Sequence, residues 1–335
     1  MLNRRTLLQS TAAAGLALPF AGLGFSTAFA ATPVTVAESE GHGWTVVYVA
    51  DAAKLWAPNG LDVSVAKFTA GRLALDAVLS ESASFCTTTQ SPTLLAALRG
   101  LKPRIVADFS RSAKEMLVAA SKKSGVETPA DLKGKKIATR IGSSGHFFLN
   151  QWLKLHGLTL ADVEVVNMAG PEMVAATVRG DVNAFAWDWL SAIAAQRQGG
   201  DDIIILPREG IEDIWRSHLI FVANEDTVTK SPELVEAAVK TLFESEAFIQ
   251  SNPAEALKYV AERTATSEDD TQKGIELLDI KVQLDKQIVD VMVAEAEWAI
   301  EQKIAEPYSG DLRALFSSLI YPDAMQKLRP DRVSL

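Results

Sequence analysis

The stretch Lys135–Met168, KKIATRIGSSGHFFLNQWLKLHGLTLADVEVVNM, decides the fold. Residues 135–141 read as a strand, the small polar knot Gly142–Ser143–Ser144–Gly145–His146 follows, and residues 146–156 repeat apolar side chains at helical spacing. VEVVNM then returns to a strand. Strand, crossover helix and strand in that order join two parallel strands, because parallel neighbours need a long connection. Taken alone, the polar knot can be a nucleophile turn, an anion cradle or a helix cap.

Outward from this unit the alternation continues in both directions. On the N-terminal side PVTVAES is a strand and EGHGW a turn, and VVYVADAAKLWAPNG is a helix. DVSVAKF, TAGRLALDAVLSE, SASFCTT and SPTLLAALRG repeat strand and helix, and RIVADFS and MLVAASKK are further strands. On the C-terminal side PEMVAATVRG is a helix, AFAWD a strand and WLSAIAAQRQG a helix, before the strands IIILPR and HLIFVAN. Two runs of this kind imply an α/β protein with two lobes, each a wound sheet flanked by helices. The tail from Ser231 to Asp323 reads as helical, with Ser231 capping and Pro232 at the first helical position. It is expected to carry no strand. The order implies an interrupted architecture: residues 31–118 plus 222–335 form one lobe, residues 122–217 the other, and hinge strands lie near 118–121 and 218–223. A ligand in such a fold belongs in the crevice between the lobes, at the carboxyl ends of the strands.

The first thirty residues stand apart from this count. A basic start, an apolar stretch and a terminal AFA read as an export signal cleaved near Ala30, and Arg4 and Arg5 give it a twin-arginine character. Its apolar core is broken by Pro19 and is shorter than the ~20 residues a spanning helix needs. Export places the mature chain in the periplasm. The single cysteine, Cys86, provides neither a lipid anchor at the cleavage point nor an internal disulfide. The signal carries two arginines and no acid, so the net charge of -9 becomes -11 on its removal. Nucleic acid is an improbable partner for that surface, and a monomer is expected.

Tests for chemistry come back empty. GSSGH lacks the second glycine of a nucleophile elbow, since His146 stands where it would be. No dinucleotide fingerprint or phosphate loop occurs in the mature chain. The four histidines, His42, His146, His156 and His218, have no metal-ligand spacing. Neither a cofactor nor a metal is implied. What remains is the set of small polar residues at strand ends: Ser39 to Trp44, Thr69 to Arg72, Thr87 to Ser91, Ser110 to Arg111, Gly142 to His146, and Trp187 to Trp189. Convergent amide N–H groups at helix starts, helped by hydroxyls, favour a small anion.

Three segments carry a resemblance. YVADAAKLWAPNGLDVSVAKFTAG (48–71), DLKGKKIATRIGSSGHFFLNQWLKLHGLTLADVEVV (131–166) and VRGDVNAFAWDWLSA (178–192) are similar to the solute-binding proteins of ABC importers for nitrate, sulfonates, taurine and bicarbonate. The resemblance implies a type 2 periplasmic binding protein that closes on a solute and docks on a permease driven by an ATPase. It places Ser143, Ser144, His146, Trp187 and Asp188 against the ligand from the second lobe. From the first lobe it implies Ser39, His42, Trp44, Gly71, Arg72, Thr88, Thr89 and Gln90. Sulfonate-type members usually follow Trp-Asp with proline, and Trp189 stands there instead. Asp188 opposes a bare inorganic anion and suits a zwitterion such as taurine. A receptor for a thiamine pyrimidine precursor or an aromatic carboxylate is the alternative. A pyrimidine synthase on the same fold is a remote one, since that enzyme uses a cysteine-rich segment.

Overall fold

The computed structural model describes residues 31–335; the expected export signal at 1–30 lies outside the described residues. The first lobe begins with β1 (Thr32–Ser39), α1 (Thr45–Ala52), β2 (Leu61–Phe68), α2 (Gly71–Leu79), β3 (Phe85–Thr89), α3 (Gln90–Leu98) and β4 (Arg104–Ser112). The second lobe contains β5 (Met116–Ser121), β6 (Lys136–Thr139), α4 (Ser144–Leu155), β7 (Glu164–Asn167), α5 (Gly170–Arg179), β8 (Ala184–Asp188), α6 (Trp189–Gly199) and β9 (Ile203–Ile205). The chain then returns through β10 (Ser217–Ala223), α7 (Glu225–Lys230), α8 (Pro232–Ser251), α9 (Pro253–Thr264) and α10 (Glu268–Ile275). It finishes with β11 (Asp279–Asp285), α11 (Gln287–Glu301), α12 (Leu312–Ser317), α13 (Asp323–Leu328) and β12 (Val333–Ser334).

These strands build two sheets, a seven-stranded one in the order β12-β11-β4-β10-β3-β1-β2 and a five-stranded one in the order β7-β6-β8-β5-β9. β1 lies parallel between β2 and β3, and β6 lies parallel between β7 and β8. In each sheet the chain therefore steps to one side of a central strand and then crosses to the other. Crevices open at such reversals, outside the carboxyl ends of the strands.

Strand alternation sorts the second lobe's core onto two faces. Met116, Val118 and Ala120 of β5 join Phe148, Trp152 and Leu153 of α4 on one face, while Leu117 and Ala119 join Met173, Val174 and Phe185 on the other. The first lobe's core gathers around Phe85 and Phe221, whose rings stack at 5.0 Å.

One expectation is corrected. The tail is not wholly helical, because DIKVQLD at 279–285 forms β11 and pairs antiparallel with β4. Apolar Ile280, Val282 and Leu284 alternate there with polar Asp279, Lys281, Gln283 and Asp285, the ordinary period of a half-buried strand, set between long helical segments. Residues 118–121 and 218–223, expected as hinge strands, lie inside β5 and β10, each paired on both sides within its own sheet. The chain passes between sheets at 113–115 and 206–216. Among the described residues no helix is long and apolar enough to cross a membrane.

Candidate functional site

The loops that follow β1, β2, β3, β6, β7 and β8 all reach one cleft of about 410 Å³ between the two sheets. Its walls bring Gly41 to Trp44, Thr69 to Arg72 and Thr89 from the first lobe against Arg140 to Ser144, Gly170 and Trp187 to Ser191 from the second. Five helix starts, α2, α3, α4, α5 and α6, point at it. Ala70, Thr89 and Ser143 precede α2, α3 and α4 with no side-chain cap, so the first amides of those helices are left to other acceptors. The hydroxyl of Ser143 donates backwards to Arg140 O at 2.7 Å and does not occupy them.

Glycine makes room for the aromatic wall. A Cβ at Gly145 would come within 2.6 Å of Trp187 Cε3, and one at Gly170 within 3.0 Å of Trp187 Nε1. The Trp187 indole thus sits in the notch between the starts of α4 and α5. Trp44 faces the cleft from the first lobe, its Nε1 donating to Glu40 O at 2.9 Å.

The charges are of both signs. Arg72, Arg140 and Arg197 line the cleft, and so do Glu40, Glu115 and Asp188. Burial first, and then the charge of Asp188, push the Glu115 carboxyl up to about 7. Burial likewise raises Asp188, offset in part by the Ser191 N–H that its Oδ1 accepts at 2.8 Å. His42, desolvated, is pushed down to about 4 and faces the cleft neutral. Its ring touches the threonine chain Thr266–Thr271 of the α9–α10 turn, with Nε2 at 3.4 Å from Thr266 Oγ1.

The lobes touch on both sides of this cavity. Thr89 Oγ1 lies 3.5 Å from Ser144 Oγ at one edge. At the other edge Arg197 of α6 pairs with Asp270 of α10.

Of the residues expected at the site, His42, Trp44, Gly71, Arg72, Thr89, Ser143, Ser144, Trp187 and Asp188 line the cleft. Four do not. His146 follows Ser144 by two positions, about 200° around the helix, and lies behind the loop, its ring meeting Trp298 edge-on at 5.2 Å and its Nδ1 accepting the Gly142 N–H at 3.5 Å. Burial there lowers it to about 4. Ser39 is spent on the sheet, its N–H donating to Thr87 Oγ1 and its Oγ to Thr87 O, both at 2.8 Å. Thr88, next to Thr89 on β3, points to the opposite face and packs beneath Gly71. Gln90 is fully buried, accepting from His218 N at 3.0 Å and donating to Glu295 at 3.2 Å. Arg111, which closes one of the strand-end sets, is tied into ion pairs with Asp108 and Asp285. Glu115, Arg140 and Arg197 were not foreseen, whereas Glu40 and Trp189 fall within strand-end loops named from the sequence. Glu115 sits in the short connection between β4 and β5, where no pattern marks it.

A family model described as NMT1/THI5 like matches residues 42–256. The chain belongs to this family. Its relatives include the taurine-binding periplasmic protein of Escherichia coli (strain K12), 28% identical over 205 residues that cover 60% of this chain and 61% of that protein. A putative thiamine biosynthesis protein of Haemophilus influenzae is 30% identical over 142 residues, 42% of this chain and 44% of its own length. Among solved structures, the alkanesulfonate-binding protein of Xanthomonas axonopodis pv. citri bound to MOPS superposes with a TM-score of 0.74 at 21% identity, covering 86% of this chain and 98% of that one. The family member described here thus has the two-lobed fold of periplasmic binding proteins.

Proposed function

We propose that this chain is the periplasmic solute receptor of an ABC import system. It captures a small organic anion or zwitterion of the aliphatic sulfonate or taurine type and delivers it to a membrane permease and its ATPase. The observation that carries the reading is the interlobe cleft into which three uncapped helix starts open. Amides fixed at helix starts bind an oxyanion without reorganising, and the partial positive charge of each helix end adds to the attraction. Arg72 and Arg140, one from each lobe, bring full charges to the same cavity.

Delivery requires that binding and shape be coupled. Both lobes supply ligand groups, so a solute holds the closed form with contacts that the open form lacks, and its differential affinity sets how far the equilibrium moves. The connections at 113–115 and 206–216 are where the backbone would bend.

A second reading rests on a specific observation, three tryptophans in the cleft wall, Trp44, Trp187 and Trp189. Flat aromatic surfaces of this kind suit a thiamine pyrimidine precursor or an aromatic carboxylate. A thermal-shift panel of taurine, alkanesulfonates, nitrate, bicarbonate, aromatic carboxylates and aminopyrimidines separates the two. A true ligand at 100 times its Kd adds about 2.7 kcal/mol of stability, and small-angle scattering should show the particle compact as it binds. A panel with no stabilising member and no compaction would remove the receptor reading.

A further inference from the structure

We propose that Glu115 and Asp188 form a subsite for a positively charged nitrogen, so that the solute is an aminated anion and not a simple sulfonate, carboxylate or nitrate. The inference rests on the receptor reading above and adds the second charge of the ligand.

The two carboxylates reach the cavity from different parts of the chain. Glu115 occupies the connection between the sheets, with its Oε2 only 3.3 Å from where a Cβ at Gly43 would stand. Its backbone oxygen accepts the N–H of Trp189 at 3.0 Å, which fixes the connection against the start of α6. Asp188 ends β8; its Oδ1 caps α6, and its Oδ2 faces Gly41 of the first lobe, 3.9 Å from a Cβ there. The same cleft wall holds Glu40 and the neutral His42.

Among the described residues no cation of the protein answers these acids: neither Glu115 nor Asp188 forms an ion pair, and of the arginines lining the cleft Arg197 is taken by Asp270. Among the described residues Arg72 and Arg140 form no ion pair, and neither does Glu40 at the rim of the cavity. The cavity thus presents two unpaired arginines against three unpaired acids, of which Glu115 and Asp188 are the half-buried ones. A ligand with one charge satisfies only half of this set and leaves like charges facing each other in a desolvated space. A zwitterion satisfies both halves. Its ammonium, or a protonated ring nitrogen, would also lie among Trp44, Trp187 and Trp189, whose π faces attract cations. Burial is the main cause of the raised Glu115 carboxyl, offset in part by a hydrogen bond from Ser217, with the Asp188 charge a smaller addition; a cationic nitrogen beside the two acids would favour their charged forms.

The test measures affinities by calorimetry in matched pairs: taurine against ethanesulfonate and isethionate, and β-alanine against propionate. In the pair that binds, the aminated member should bind at least tenfold tighter, and Glu115→Gln and Asp188→Asn should each erase most of that ratio. In the unaltered protein the ratio should also fall from pH 7 to pH 5, as the acids take up protons and the amine keeps its charge. Equal affinity within a pair, or an unchanged ratio in both variants, overturns the two-acid subsite alone. If no member of any pair binds, the receptor reading falls and the subsite with it.

Discussion

Glu295 of α11 is buried beside Gln90, and burial pushes its carboxyl up to about 8. In the unfolded chain it titrates near 4.5. Between those values the folded state holds the extra proton, so the contribution to stability is complete at low pH and is lost as pH rises towards 8. His42 and His146 act with the opposite sign. Both are lowered from 6.5 to about 4, so they cost stability only as pH falls through that range. Above pH 6.5 the raised carboxyls of Glu295 and Glu115 lead, and the buried Cys86 thiol, also raised, adds to the same decline at the alkaline end. The melting temperature of the ligand-free protein should therefore decline from pH 6.5 to 8.5, and Glu295→Gln should remove most of the slope. Equal slopes in the two proteins would mean that Glu295 is not the group responsible. The sequence gives no hint of this residue, because a glutamate in an apolar helix reads as an ordinary surface position until the packing of α3 against α11 is known. His146 failed in the reverse direction. Its place in the polar knot was legible, but two positions along a helix carry a side chain from the ligand face to the opposite one, and only the packed Trp298 shows which face it took.

At the scale of elements, α11 is the piece whose role no motif announces. Its Ile288, Met292 and Ala296 belong to the first lobe's core, whereas Trp298 and Ala299 at its end belong to the second lobe's. Trp298 meets the ring of Phe147 at 5.0 Å and that of His146 at 5.2 Å, both on α4, the helix whose start faces the cleft. One helix thus couples the two cores beyond the two backbone connections. Removing a buried tryptophan costs about 3–5 kcal/mol, and here the loss falls on the junction. Trp298→Ala should lower the urea midpoint and separate a single unfolding transition into two, seen as a divergence between circular dichroism and tryptophan fluorescence. A variant that stays two-state with coincident probes would show that the lobes are joined elsewhere. The alternating strands and helices on either side were readable because each carries its own period. β11 carries its period too, Ile280, Val282 and Leu284 alternating with polar residues, but it is a single short strand among long helices, and only its pairing with β4 shows where it belongs.

At the scale of the whole molecule, the cleft was legible as a place before it was legible as a surface. Chain reversal on either side of β1 and β6 follows from the order of strands and helices, and it puts six loops at one crevice. Which residues of each loop face inward depends on helix phase and strand facing, and which distant segments complete the wall depends on how the lobes meet. Arg197 and Asp270 illustrate the latter, lying 73 positions apart and pairing across the cleft edge. Their side chains are 54% and 12% exposed, so the pair is a partly solvated one. Exposed pairs contribute roughly 0.2–1 kcal/mol, and all of it belongs to the closed form if opening separates α6 from α10. Arg197→Ala or Asp270→Ala should then weaken the affinity for a bound solute by up to about fivefold and expand the ligand-free particle in small-angle scattering. The exchange of the two residues, Arg197→Asp with Asp270→Arg, should restore both. Because neither residue belongs to the two-acid subsite, the preference between aminated and amine-free ligands should survive in all three variants. Affinity that drops together with that preference would mean that Arg197 acts on the ligand directly and not through the closure of the lobes.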